Sequence, residues 1–132
     1  MQGIAIFNAL LGQAAAVTAI VGTRIYPVEL PQGCAYPAIA IEADPDVPIP
    51  TIDANQAYGL RKVDVKLHLI AKTAPDLAAL QSAVEAACNF QRGVVATYSV
   101  VTVAAGTVGS AETDSTLGLW YLPITFNLTY RR

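Results

Sequence analysis

The chain is short of the side chains that do chemistry. Its 132 residues include one histidine, two cysteines and one tryptophan. Any histidine-dependent triad would have to use His68, and no serine sits in a Gly-x-Ser-x-Gly frame. His68 also alternates onto the polar side of a strand, which suits a structural or interface histidine better than a general base. The expectation is a protein that is not an enzyme, with no catalytic residue and no cofactor. Cys34 and Cys88 are far apart and form no Cys-x-x-Cys. Both read as reduced thiols of a cytoplasmic protein, not as a metal or redox pair.

Charge is scarce too. Charged residues make up 14% of the chain and hydrophobic ones 54%, against a usual charged share of about 25%. A solitary domain of this size needs more polar surface, so part of the apolar excess is expected to lie against other subunits. A net charge of −2 provides no basic footprint for sequence-specific nucleic-acid binding. The first charged side chain is Arg24. No basic n-region precedes the apolar start, and Gln2, Asn8, Gln13 and Thr18 interrupt it. A buried or interfacial helix fits better than a targeting or membrane segment.

Asp44, Asp46 and Asp53 could offer oxygens to a hard cation, but calcium-loop spacing is missing, and a solvated acidic loop is the simpler reading. Gly106 to Ser110 has the glycines of a phosphate loop without its lysine. Arg61, Lys62, Lys66 and Lys72 could meet phosphate. Without interleaved aromatics they read as a solvated strand face or an intersubunit charge patch.

What is present is organised around Arg61 to Cys88. Val63, Val65, Leu67 and Leu69 alternate with Lys62, Asp64, Lys66 and His68, giving a strand with one apolar and one polar face. Thr73, Pro75 and Asp76 then make a helix start resembling a capping box. Leu77, Leu80, Val84, Ala87 and Cys88 recur at helical spacing up to about Asn89.

Before this unit, Ile4, Phe7, Leu11, Ala14, Thr18 and Val21 form a helical stripe over residues 3–21, stopped by Gly22. Arg24 to Val28 reads as a short extended piece, and Pro37 to Glu42 as a strand. Residues 43–58 form a long irregular acidic loop with Pro45, Pro48 and Pro50. From Ile25 to Leu60 there is no lysine or arginine, whereas Arg61 to Lys72 is basic. After the second helix, Gly93 to Val103 reads as a strand that is bulged or buried on both faces, and Gly106 to Leu117 as a loop. Gly118 to Tyr130 is the last strand, with Pro123 placing it at an edge or breaking it. Neither an internal repeat nor a domain boundary is evident. The fold expected for residues 1–132 is one α+β domain, with a mainly antiparallel four- to five-stranded sheet and two helices packed on one face.

The sequence resembles the tail completion, or tail terminator, family of long-tailed bacteriophages. The resemblance lies in an Ala/Leu-rich first helix ending in Val21-Gly22-Thr23-Arg24-Ile25-Tyr26-Pro27, then Leu30-Pro31-Gln32, then Tyr36-Pro37-Ala38-Ile39. After the acidic loop, Arg61 to Leu69 and the Thr73 to Cys88 helix continue it. It implies a structural protein that forms a ring, usually of six subunits, capping the finished tail tube and joining it to the head–neck complex. The implied partners are its own copies, the tail tube protein and a neck or connector protein. DNA would pass through the bore without sequence-specific binding, and no membrane is involved. The implied location is the virion tail, assembled in the host bacterial cytoplasm. Asp44, Asp46 and Asp53 are then candidates for an assembly or lumen loop, and Arg61, Lys62, Lys66 and Lys72 for an intersubunit charge face. The alternatives are a neck or connector-completion protein, a minor tail protein, a tail-tube subunit, or a small-ligand-binding or enzymatic α+β domain.

Overall fold

In the computed structural model, which describes residues 2–22, 24–27, 36–44, 47–48, 60–95, 98–103, 107–114 and 118–131, the expected central strand runs over Leu60–Ala71. Its alternation holds: Val63, Val65, Leu67, Leu69 and Ala71 are buried, while Lys62, Asp64 and Lys66 are exposed. The described elements in chain order are α1 (Gln2–Gln13), α2 (Ala15–Val21), β1 (Ile25–Pro27), β2 (Ala38–Ala43), β3 (Val47–Pro48), β4 (Leu60–Ala71) and α3 (Ala74–Cys88). They continue with β5 (Gly93–Val95), β6 (Tyr98–Val103), β7 (Thr107–Val108), β8 (Glu112–Asp114) and β9 (Leu119–Arg131).

The strands form one sheet in the order β1-β2-β4-β9-β6-β5, with β3 on β4, and β7 and β8 on β9. The class is α+β as expected. The sheet is mixed, because β1 runs parallel to β2 while the other pairings are antiparallel. Its spine is the β4–β9 ladder, in register from Leu60↔Arg131 to Ala71↔Trp120. Helices α1 and α3 pack on β4, with α1 also touching β2 and α3 touching β9. Ile39, Ile41, Leu67, Leu69, Ile124, Phe126 and Leu128 fill the core between the layers. Phe7 of α1 meets Phe126 with ring centroids 5.4 Å apart, a tilted contact typical of aromatic pairs. Gly3 lets the start of α1 lie close: a Cβ there would come within 3.1 Å of both Val63 and Val65.

The expected single first helix is instead two, bent by 90°. Ala14 is extended at φ −83 and ψ 111 and caps α2 without a side-chain hydrogen bond. Gly12 weakens the helix just ahead of it, and the bend lets Phe7 and Leu11 on one segment, and Val17 and Val21 on the other, all bury fully. The second expected helix matches α3. The Asp76 N–H donates to Thr73 Oγ1 at 3.3 Å, and Asn89 is the C-cap.

Other expectations change. Gly93 to Val103 is not one strand but a hairpin of β5 and β6, with a register shift between Val100 and Thr102. The expected loop from Gly106 contains β7 and β8, which continue the β6 line along β9. Strand β9 is not at an edge, since β4 flanks one side and β6, β7 and β8 the other. Pro123 is tolerated because the Pro123 carbonyl accepts from the Gly109 N–H at 2.8 Å. A residue's N–H and C=O point to the same side in an antiparallel strand, so the missing donor costs the β4 ladder nothing. On the other side the pairing steps from Val108↔Ile124 to Glu112↔Tyr121. Gly109, Ser110 and Ala111 there oppose Leu122 and Pro123, which is a bulge. Any Cβ at Gly109 would lie 2.7 Å from Pro123 Cγ. Of the long loop expected over 43–58, Ala43 belongs to β2, Asp44 follows it and Val47–Pro48 is β3; the remainder lies outside the described residues.

Candidate assembly surface

The helices cover one face of the sheet, so the polar residues of β2, β4 and β9 lie together on the other. Register sets their rows: Ala38, Ile70 and Tyr121; Ala40, His68 and Pro123; Glu42, Lys66 and Thr125. Below these come Asp64 with Asn127 and Lys62 with Thr129. Positive and negative side chains alternate along this face.

Three side chains on it form a chain of contacts. His68 Nε2 lies 2.9 Å from Glu42 Oε2, and His68 Nδ1 contacts the Tyr121 hydroxyl. The two rings also stack, with centroids 5.6 Å apart. A neutral imidazole satisfies the set when Tyr121 donates to Nδ1 and the Nε2–H donates to the carboxylate. The resemblance to a catalytic triad is only formal. Burial first, then the charges of Glu112 and Glu42, push the Tyr121 phenol above its ordinary value. A nucleophile needs the opposite shift. Glu42 is more than half exposed, so the group sits on an open face. It ties β2, β4 and β9 together across the sheet.

The candidate site residues do not share one surface. Lys62 and Lys66 are exposed on the outer face. Arg61 has the opposite parity, paired with buried Tyr130, and its Nε is buried without a hydrogen-bond partner. Lys72 follows the end of β4 and is exposed. Asp44 is exposed after β2, where its N–H donates to the Asp64 carbonyl at 2.9 Å. Asp46, Asp53 and Cys34 lie outside the described residues. Cys88 is fully buried, and burial pushes its thiol up to about 12. Among the described residues no cluster of three or more His, Cys, Asp or Glu could hold a metal.

Arg24, in the segment that carried the family resemblance, is a structural clamp. Its Nε donates to the Pro37 carbonyl at 2.8 Å and its Nη2 to the Ile20 carbonyl at 3.2 Å. This fixes the last turn of α2 against the parallel pair β1–β2. Among the described residues no single helix is long and apolar enough to cross a membrane.

A model of the family described as "Tail completion protein gp17" matches residues 4–119. The chain belongs to this tail completion family. Its role is accordingly that of a structural component of a phage tail. The match begins in α1 and ends at the first residue of β9, so it includes the Arg24 clamp and both layers of the fold. Among solved structures, a chain from the "virion of native gene transfer agent (GTA) particle" has the same fold, with a TM-score of 0.74. The two are 17% identical, and the alignment covers 98% of this tail completion chain and 94% of the other. No curated protein matches it.

Proposed function

We propose that this tail completion protein is the tail terminator: a closed ring, hexameric on the family resemblance, that caps the finished tail tube and joins it to the head–neck complex. The observation that carries the reading is the family match over residues 4–119. The physical features support it. A ring made head to tail needs two unlike, complementary surfaces on each subunit. The two sides of this sheet differ in strand order and charge, and Phe90 and Val108 are large apolar side chains left exposed. Contacts with copies of itself draw on the exposed Lys62, Lys66 and Lys72, not on the inward Arg61, and on the acidic stretch containing Asp44, Asp46 and Asp53. Part of that stretch also faces the bore or the adjoining tail or neck protein. Like charge there keeps DNA from sticking as it passes. The protein acts without catalysis, is built into the tail in the bacterial cytoplasm and uses no membrane.

Electron microscopy of particles made without the protein tests this. Overlong or headless tails are the expected result. Filled heads that leak DNA would instead make it a neck plug, and normal joined virions would end the proposal. A tail-tube subunit would polymerise into long tubes instead of closed rings.

A further inference from the structure

Among the described residues Phe90 is the most exposed large hydrophobic side chain. It is 72% exposed, and its backbone stands at φ 60, a conformation that costs a bulky L-residue energy and that glycine adopts freely. The conformation is held on both sides: the Phe90 N–H donates to the Val103 carbonyl at 2.9 Å, and the Val103 N–H donates to the Gln91 carbonyl at 3.1 Å. The segment from Phe90 to Arg92 therefore lies along the β5–β6 edge of the sheet as a rigid piece, with an aromatic ring turned outward and the exposed Arg92 beside it. Strain retained at a fixed, exposed aromatic points to a use outside the protomer.

The opposite side of the sheet carries the complementary charge. Strand β1 covers β2 only at Ile39, Ala40 and Ile41. Beyond Ile41 the outer edge of β2 has no strand partner among the described residues, and there Glu42 and Asp44 are exposed. We propose that Phe90 and Arg92 of one copy dock onto the acidic end of β2 of a second copy, with Arg92 meeting Asp44. This rests on the ring reading and names the contact that closes it. Two Phe90 edges facing each other would oppose Arg92 to Arg92, and two β2 ends would oppose acid to acid, so the charges favour head-to-tail contact over a twofold dimer.

The test uses Phe90→Gly, Arg92→Glu and the double variant Arg92→Glu with Asp44→Arg. Each is followed by melting temperature, taken at protein concentrations where it no longer depends on concentration, by sedimentation velocity, and by recovery in purified tails. Phe90→Gly relieves the left-handed strain, so its protomer is expected to melt a few degrees higher while self-association weakens by about thirtyfold or more. Arg92→Glu is expected to lose association with its melting temperature kept, and the double variant to regain it. A lower melting temperature for Phe90→Gly would make Phe90 a structural residue and overturn the inference. So would normal rings from Phe90→Gly or Arg92→Glu, or a double variant that stays apart. A wild-type chain that is monomeric both in solution and in tails overturns the ring reading itself, and this contact with it.

Discussion

Leu67 and Lys66 are neighbours in β4, yet their replacement by alanine should have very different consequences. Leu67 is fully buried, in register with Ile41 on one side and Ile124 on the other. Removing its three outer carbons leaves a cavity beneath the α1 and α3 layer, at a cost of about 2–5 kcal/mol. That is a large part of the roughly 5–15 kcal/mol that holds a domain together. Lys66 is exposed between Glu42 and Thr125, and its truncation should change stability by no more than about 0.5 kcal/mol. At a denaturant slope of about 2 kcal/mol per molar urea, Leu67→Ala should lower the midpoint by about 1–2.5 M and Lys66→Ala by about 0.25 M at most. Urea unfolding followed by far-ultraviolet circular dichroism measures both, at protein concentrations where the midpoint no longer depends on concentration. Equal losses would mean that the outer face is also packed within the protomer, and the case for a free assembly surface would fail. A small loss at Leu67 would mean that the helical layer does not cover the sheet.

Three further outcomes follow from the same packing. Cys88 should resist iodoacetamide at pH 8 in the folded protein, where a thiol pushed up to about 12 is ionised in only about one molecule in ten thousand. A Cys34→Ser background isolates it, and rapid native labelling would refute the burial. Its folded pKa is raised above the unfolded value near 9, so the stability from keeping the thiol neutral is whole below pH 9 and drains away as pH climbs towards 12. Ala14→Ser supplies the oxygen that the N-cap of α2 lacks and should raise stability by about 0.5–1 kcal/mol; an unchanged or lower urea midpoint would show that the half-buried position cannot take the hydroxyl.

The elements that could be read from the sequence were those with one dominant period. Lys62 to Leu69 alternates without a slip, and Thr73 with Asp76 marks the start of α3, so both appear where expected. The bend at Ala14 was hidden because the stripes of α1 and α2 join into one helical pattern whether or not the axis turns. Strands β7 and β8 were hidden for a different reason: Thr107 to Asp114 is mostly small and polar, and its pairing depends on the length of β9, not on side chains. Pro123 suggested an edge, since the sequence does not say which side of the strand its absent N–H faces. The polar network was half visible. Glu42, His68 and Tyr121 could each be placed on a polar strand face, but that they meet depends on cross-strand register. Arg61 was grouped with Lys62 and Lys66 by charge, although the alternation already put it on the side of Val63.

The uneven cover of the sheet connects these details to assembly. A protomer with helices on one face has spent its apolar side chains on its own core, and Leu67, Phe126 and Phe7 are unavailable to neighbours. What its described residues still expose is mostly charged or small, apart from Val108 and the strained Phe90. Contacts built from such groups are weak one at a time, because exposed ion pairs contribute about 0–1 kcal/mol each. They become decisive when closure makes every copy use both of its edges at once, since the last contact forms between groups already held together. On the proposed reading, weak single contacts keep free protomers apart, and closure on a finished tube gives a stable cap. That predicts a steep dependence of ring formation on protein concentration, sharpened by tail tubes. A gradual series of dimers, trimers and tetramers in sedimentation would contradict it.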